Sequence, residues 1–96
     1  MTMIKVSNTS RTASVAGGIA GLVREQHRAE VQAIGAAVNQ AIKALALANG
    51  YLKRDGIQVY FIPEYTEVTI DDNVRTAIKL VVGPGRSPDL SDASSI

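Results

Sequence analysis

The sequence contains no cysteine and no tryptophan, and only one histidine, one phenylalanine and three prolines among its 96 residues. Without cysteine there are no disulfides, no thiolate metal sites and no cysteine nucleophile. With His27 alone, a histidine-rich metal site and a Ser-His-Asp arrangement are both disfavoured. Charge of one sign is also missing. Ten Lys and Arg face nine Asp and Glu, a formal +1, which is not the signature of a histone-like coat protein or a polybasic membrane binder. No apolar run approaches the roughly 18 residues of a membrane span. The N-terminal MTMIKVSNTSRT lacks the apolar stretch of a signal peptide, so the expected compartment is the cytoplasm. With 46% hydrophobic and 20% charged residues, the chain reads as one globular domain with a thin core.

The apolar pattern divides the chain into six elements. Met3–Val6 alternates and predicts a short strand. Ser7–Ser14 is a polar loop rich in helix N-cap residues. From Ser14, Val15, Ile19, Leu22 and Val23 share one helical face, and Arg24–Gln26 ends that helix. Glu30–Ile34 alternates as a second strand, and Gly35 breaks it. Ala36–Asn49 is the strongest predicted helix, with alanine, the best helix former, recurring through it and Asn49-Gly50 as its stop. Lys53–Gly56 is a charged turn. Ile57–Ile62 is a strand, Pro63-Glu64 interrupts it, and residues 65–82 form a hairpin around Asp71-Asp72-Asn73. Gly83–Ile96 lacks periodicity and reads as a disordered tail. The order β-α-β-α-β-β implies a right-handed crossover with a parallel strand pair, an antiparallel edge, and a two-layer α/β sandwich with both helices on one face of a mixed four-stranded sheet.

The second helix has an unusual wheel. Polar groups keep to one narrow stripe, Asn39, Gln40 and Lys43. Val38, Ile42 and Leu45 form an apolar face, and Ala37, Ala41, Ala44 and Ala48 an adjacent face of small residues. A helix apolar over most of its circumference is covered on more than one side. So small a domain has little material for a second cover, so a partner subunit is expected on this helix, with Ala37, Ala41, Ala44, Leu45 and Ala48 as the contact.

Signs of chemistry are sparse. Ala16–Gly21 is glycine-rich, but it is not G-x-G-x-x-G and no Gly-Lys-Ser/Thr follows. The plainer reading is that Gly17 and Gly21, four apart, let the first helix approach a neighbour. His27 reads as a residue at a helix C-terminus, favourable to the dipole. Asp71-Asp72 reads as a pair of turn formers, and Ser7, Ser10 and Ser14 have no base in a recognisable arrangement. No enzyme, metal, cofactor or small-molecule substrate is expected. The basic residues are Lys5 on the first strand, Arg11 in the first loop, Lys43 on the second helix, Lys53 and Arg54 after it, and Arg75 and Lys79 on one face of the last strand. A loop and a hairpin so placed can straddle a phosphate backbone, although Glu64, Glu67, Asp71 and Asp72 oppose it.

Five runs in order carry a resemblance. Ile4-Lys5-Val6-Ser7, Ser14-Val15-Ala16-Gly17, Gln32–Ala36, Val38–Ala44 and Arg75–Leu80 together resemble the stage V sporulation protein S family of bacteria, over about residues 3–84. The resemblance implies an Alba-like domain over residues 1–84 with strand order 1-2-4-3 and a projecting hairpin, and a tail over 85–96. It also implies a regulatory role without catalysis, affecting sporulation in spore formers. Alba proteins dimerise through their second helix, and they grip nucleic acid with the loop after strand one, the loop before helix two and the hairpin arms. Carried onto this sequence, that implies nucleic-acid contact, DNA or RNA, through Arg11, Asn39, Gln40, Lys43 and Arg75, in a homodimer that can assemble further. Two departures are visible. Gly35-Ala36-Ala37 stands where Alba proteins carry basic residues, and the hairpin is acidic at its tip. With few phosphate contacts per subunit, binding would be weak and salt-limited unless oligomers multiply it. The alternative is a homo-oligomeric interaction or scaffold module without nucleic-acid contact.

Overall fold

The computed structural model describes residues 3–85. In chain order the elements are β1 (Met3–Val6), α1 (Thr12–Gln26), β2 (Ala29–Ala33), α2 (Ala37–Arg54), β3 (Val59–Ile70) and β4 (Asn73–Pro84). The sheet order is β1-β2-β4-β3, with β1 and β2 parallel and β4 antiparallel to both of its neighbours. This is the expected β-α-β-α-β-β sandwich. The expected tail lies, from residue 86 onward, outside the described residues.

Several boundaries differ from expectation, the largest for physical reasons. Helix α2 does not stop at Asn49-Gly50 but runs on to Arg54. The extra turn brings Leu52 into the core with no exposed surface. That burial, worth about 1.5–3 kcal/mol, outweighs the roughly 1 kcal/mol cost of Gly50 inside a helix. Lys53 and Arg54 then fall in the last turn, where cations suit the helix dipole. Gly56, at φ +76°, turns the chain. Strand β3 passes through Pro63 without a break. It is an edge strand, where a missing N–H can lie on the unpaired side. Gly83 and Pro84 belong to β4, not to a tail. Tyr60 pairs with Gly83 across the hairpin, and its ring lies over the glycine so closely that an added Cβ would sit 2.7 Å from the phenolic oxygen. Helix α1 begins at Thr12, two residues before the expected start.

The core is one cluster between the helices and one face of the sheet. Its largest fully buried side chains are Ile19, Val23, Val31, Leu45, Leu52 and Val82. Ala16 and Ala20 of α1 and Ala37, Ala41, Ala44 and Ala48 of α2 complete it. Arg24 joins the ends of the two helices through Asp55, with Nη2 at 2.7 Å and Nε at 2.8 Å from the same carboxylate oxygen. The glycines of α1 do not make the expected close contact. An added Cβ at Gly17 or Gly21 meets nothing within 4 Å, and only Gly18 touches a neighbour, the Ile4 side chain at 3.5 Å. His27 is the C-cap of α1, left-handed at φ 59°, and its N–H donates to the Val23 carbonyl.

The hairpin sets the long dimension of the molecule. A twelve-residue strand at about 3.4 Å per residue spans about 40 Å, against a longest extent of 43 Å. Ala33, the last residue of β2, pairs with Ile78, so residues 66–70 and 73–77 project beyond the end of β2. Asp71 and Asp72, at φ 51° and 65°, form the two-residue turn between Ile70 and Asn73. Positive φ at both central positions is the geometry of a tight hairpin, and aspartate tolerates it better than most residues.

Candidate nucleic-acid interface

Alternation places the side chains of the sheet. Val31, Ile78, Leu80 and Val82 face the helices, so Lys5, Glu30, Gln32, Arg75 and Lys79 face the open side. The expectation that Arg75 and Lys79 share a face therefore holds, but their surroundings differ. Lys79 Nζ lies 3.5 Å from Glu30 and 3.3 Å from Glu64, and Arg28 approaches Glu30 at 3.7 Å. Lys79 thus bridges β2, β4 and β3, and it neutralises two carboxylates that would repel a phosphate. Arg75 and Lys5 have no ion pair among the described residues.

Lys5 and Arg75 line the same cleft. It lies at the carboxyl ends of the parallel strands β1 and β2, where ligands enter open α/β sheets, and the projecting hairpin is its far wall. Its volume is about 890 Å³. Lys5, Ser7, Asn8, Gln32 and Arg75 supply its polar groups, Met3, Ile34, Val68 and Ile70 its apolar ones, and Gly35, Ala36 and Ala37 its edge at the start of α2. Among the described residues no carboxylate lines it. Gly35, at φ +56°, makes the turn from β2 into α2. The first turn of α2 has no side-chain cap and no acidic residue, so the positive end of its dipole is left unneutralised at the cleft edge.

A second group of polar residues lies on the helix layer. Gln40 donates from Nε2 to the Ser10 carbonyl at 2.8 Å and to Thr12 Oγ1 at 2.9 Å. These bonds fasten the β1–α1 loop to α2 and set Arg11 beside the N-terminal half of that helix, where Asn39 and Lys43 are exposed. The five residues expected at a nucleic-acid surface therefore separate. Arg11, Asn39 and Lys43 are exposed on the helix layer, and Arg75 is exposed across the cleft on the hairpin. Gln40 is corrected: its amide N–H groups are already engaged, so it positions the loop rather than a phosphate. Lys5, Asn8 and Gln32 join the site. The alternation of MIKV signalled Lys5 on the side opposite Ile4 and Val6, but only the register shows that it shares a cleft with Arg75.

The expected partner face of α2 is also corrected. Ala37, Ala41, Ala44, Leu45 and Ala48 are each no more than 3% exposed within a single chain. Helix α1 and the sheet already fill that face. Periodicity marks a buried stripe without saying which neighbour buries it. The apolar residues that α2 leaves in solvent are Ile42, 49% exposed, and Leu47, 40% exposed. On the helix-side face of β3, Val59 packs against the core, while Phe61, 38% exposed, and Tyr65, 84% exposed, stand open to solvent.

Among the described residues no group of three His, Asp or Glu is placed to hold a metal ion, and no helix is long and apolar enough to cross a membrane. In fold the chain is similar to the Alba protein from Thermoplasma volcanium, with a TM-score of 0.58 at 9% identity over 88% of this chain and all of that one. That likeness concerns the architecture alone. The model of the stage V sporulation protein S family matches residues 2–85, so nearly the whole described chain, cleft and hairpin included, is accounted for by one family. The chain belongs to the stage V sporulation protein S family.

Proposed function

We propose that this protein is a non-enzymatic regulatory module that binds nucleic acid through its phosphate backbone and acts as a dimer. The observation that carries the reading is the cleft lined by Lys5 and Arg75 and, among the described residues, by no carboxylate, with Arg11 and Lys43 exposed on the helix layer. The acidic residues of the hairpin do not oppose this arrangement as the sequence suggested. Glu64 is held by Lys79, Glu67 pairs with Thr76 on the opposite face from Arg75, and Asp71 and Asp72 are confined to the tip turn. The similarity to an Alba protein adds support at the level of fold. The dimer contact would use the exposed side of α2 at Ile42 together with the uncovered Phe61 and Tyr65 of β3. Two copies would then present two clefts and multiply a weak contact.

Charge reversal tests the surface. Arg11→Glu combined with Arg75→Glu should abolish binding of a labelled oligonucleotide in fluorescence anisotropy, since each lost phosphate contact also becomes a repulsion. Unchanged affinity would place the binding surface elsewhere. A homo-oligomeric scaffold without nucleic-acid contact is the second reading, favoured by the exposed Ile42, Leu47, Phe61 and Tyr65. A partner retained through nuclease treatment and high salt would support it.

A further inference from the structure

The cleft has more than a phosphate site needs. Met3, Ile34, Val68 and Ile70 are among the apolar side chains that line it, and Met3 at 37% and Ile70 at 42% exposure stand open to solvent. A surface built only to meet a duplex backbone would be polar, because phosphates and sugars are. Here the apolar wall stands beside two cations on different strands, Lys5 on β1 and Arg75 on β4, with the amide groups of Asn8 and Gln32 alongside. The volume of about 890 Å³ falls in the range of clefts that enclose a small organic group, about 300–1,000 Å³.

From these features we infer that the cleft takes an unstacked nucleotide of a single strand, so that the preferred ligand is single-stranded nucleic acid rather than a duplex. This rests on the nucleic-acid reading above and specifies its ligand. A base inside a duplex has both faces covered by its neighbours and offers only its edges. A base in a single strand can lay a face against Met3, Val68 and Ile70 while its phosphates meet Lys5 and Arg75. Asn8 and Gln32 carry the donors and acceptors that read base edges. The ligand is a strand rather than a free nucleotide because the cations continue beyond the cleft. Asn8 lies in it, and Arg11 follows three residues later on the loop that Gln40 fastens to α2.

The test uses the full chain and two labelled probes of equal length, a single-stranded oligonucleotide and its duplex. Single-stranded binding should be at least about tenfold tighter, the scale of burying one apolar side chain against a base face. Ile70→Ser changes no charge and alters a solvent-exposed side chain, and circular dichroism checks that its fold is intact. It should weaken single-strand binding by about five- to tenfold and leave any duplex binding unchanged. Duplex affinity equal to or above that of the single strand would overturn the inference and leave the nucleic-acid reading standing. So would an equal loss on both probes, or displacement of the strand by an equimolar mononucleotide. Failure of both probes to bind would remove both readings together.

Discussion

At the scale of single residues, several side chains do work that their letters did not announce. Gln40 has the hydrogen-bonding groups of a phosphate contact, yet its amide is spent on Ser10 and Thr12. Lys79 has the charge of one, yet it lies between Glu30 and Glu64. Arg75, four residues away on the same strand face, has no such partner among the described residues. Local sequence does not distinguish the last two, because the difference is made by β2 and β3 across the register. The glycines of α1 carry a separate expectation. Gly17 is exposed with open space where a Cβ would stand. Gly17→Ala should therefore stabilise the fold by about 0.5–1 kcal/mol, through helix propensity and a less disordered unfolded chain. Urea denaturation reads this as a higher midpoint at unchanged slope. A loss of stability would mean that the position makes a close contact after all.

At the scale of elements, the order of strands and helices along the chain was legible in the sequence because each element rests on a local period, whereas the sheet order 1-2-4-3 was implied by the family resemblance. Alternation in residues 3–6 and 30–33, helical spacing from Val15 to Val23 and an alanine-rich run from Ala36 each specify one element. What was not legible depends on more distant partners. The end of α2 is set by the space that Leu52 fills, not by Asn49-Gly50. The continuity of β3 through Pro63 is set by its place at the sheet edge. The buried face of α2 was recognised as buried, but the neighbour that covers it was misassigned. The same distinction gives a test of the proposed dimer. Ala44→Glu puts a charge where there is no exposed surface, so it should destabilise the monomer by more than about 3 kcal/mol and unfold much of it. Ile42→Glu puts the charge on the solvent side of the same helix. It should leave the circular dichroism spectrum intact while sedimentation shifts from dimer to monomer. A folded Ile42→Glu protein with unchanged mass would move the contact off this face of α2.

At the scale of the whole molecule, a formal charge of +1 does not by itself mark a nucleic-acid surface. The arrangement matters more than the sum. The described acidic side chains of the sheet and hairpin are paired, turned to the opposite face or confined to the hairpin tip. Lys5 and Arg75 share a cleft that no carboxylate lines among the described residues, and Arg11 and Lys43 are exposed on the helix layer. A nearly neutral chain can thus present a local basic surface, but only a small one. The contact it makes should be modest per subunit, sensitive to salt and strengthened by pairing of subunits.

The salt dependence of binding tests this account most directly. Fluorescence anisotropy of a labelled single-stranded oligonucleotide, titrated with the full chain at salt concentrations from about 50 to 200 mM, yields affinity as a function of ionic strength. The account predicts saturable binding that falls linearly on logarithmic axes, with a slope of about −2 to −3 for the three or four cations of each subunit at about −0.7 per phosphate, and a shallower slope for Arg75→Gln. Absence of binding at the lowest salt, or binding indifferent to salt and to Arg75, would contradict it.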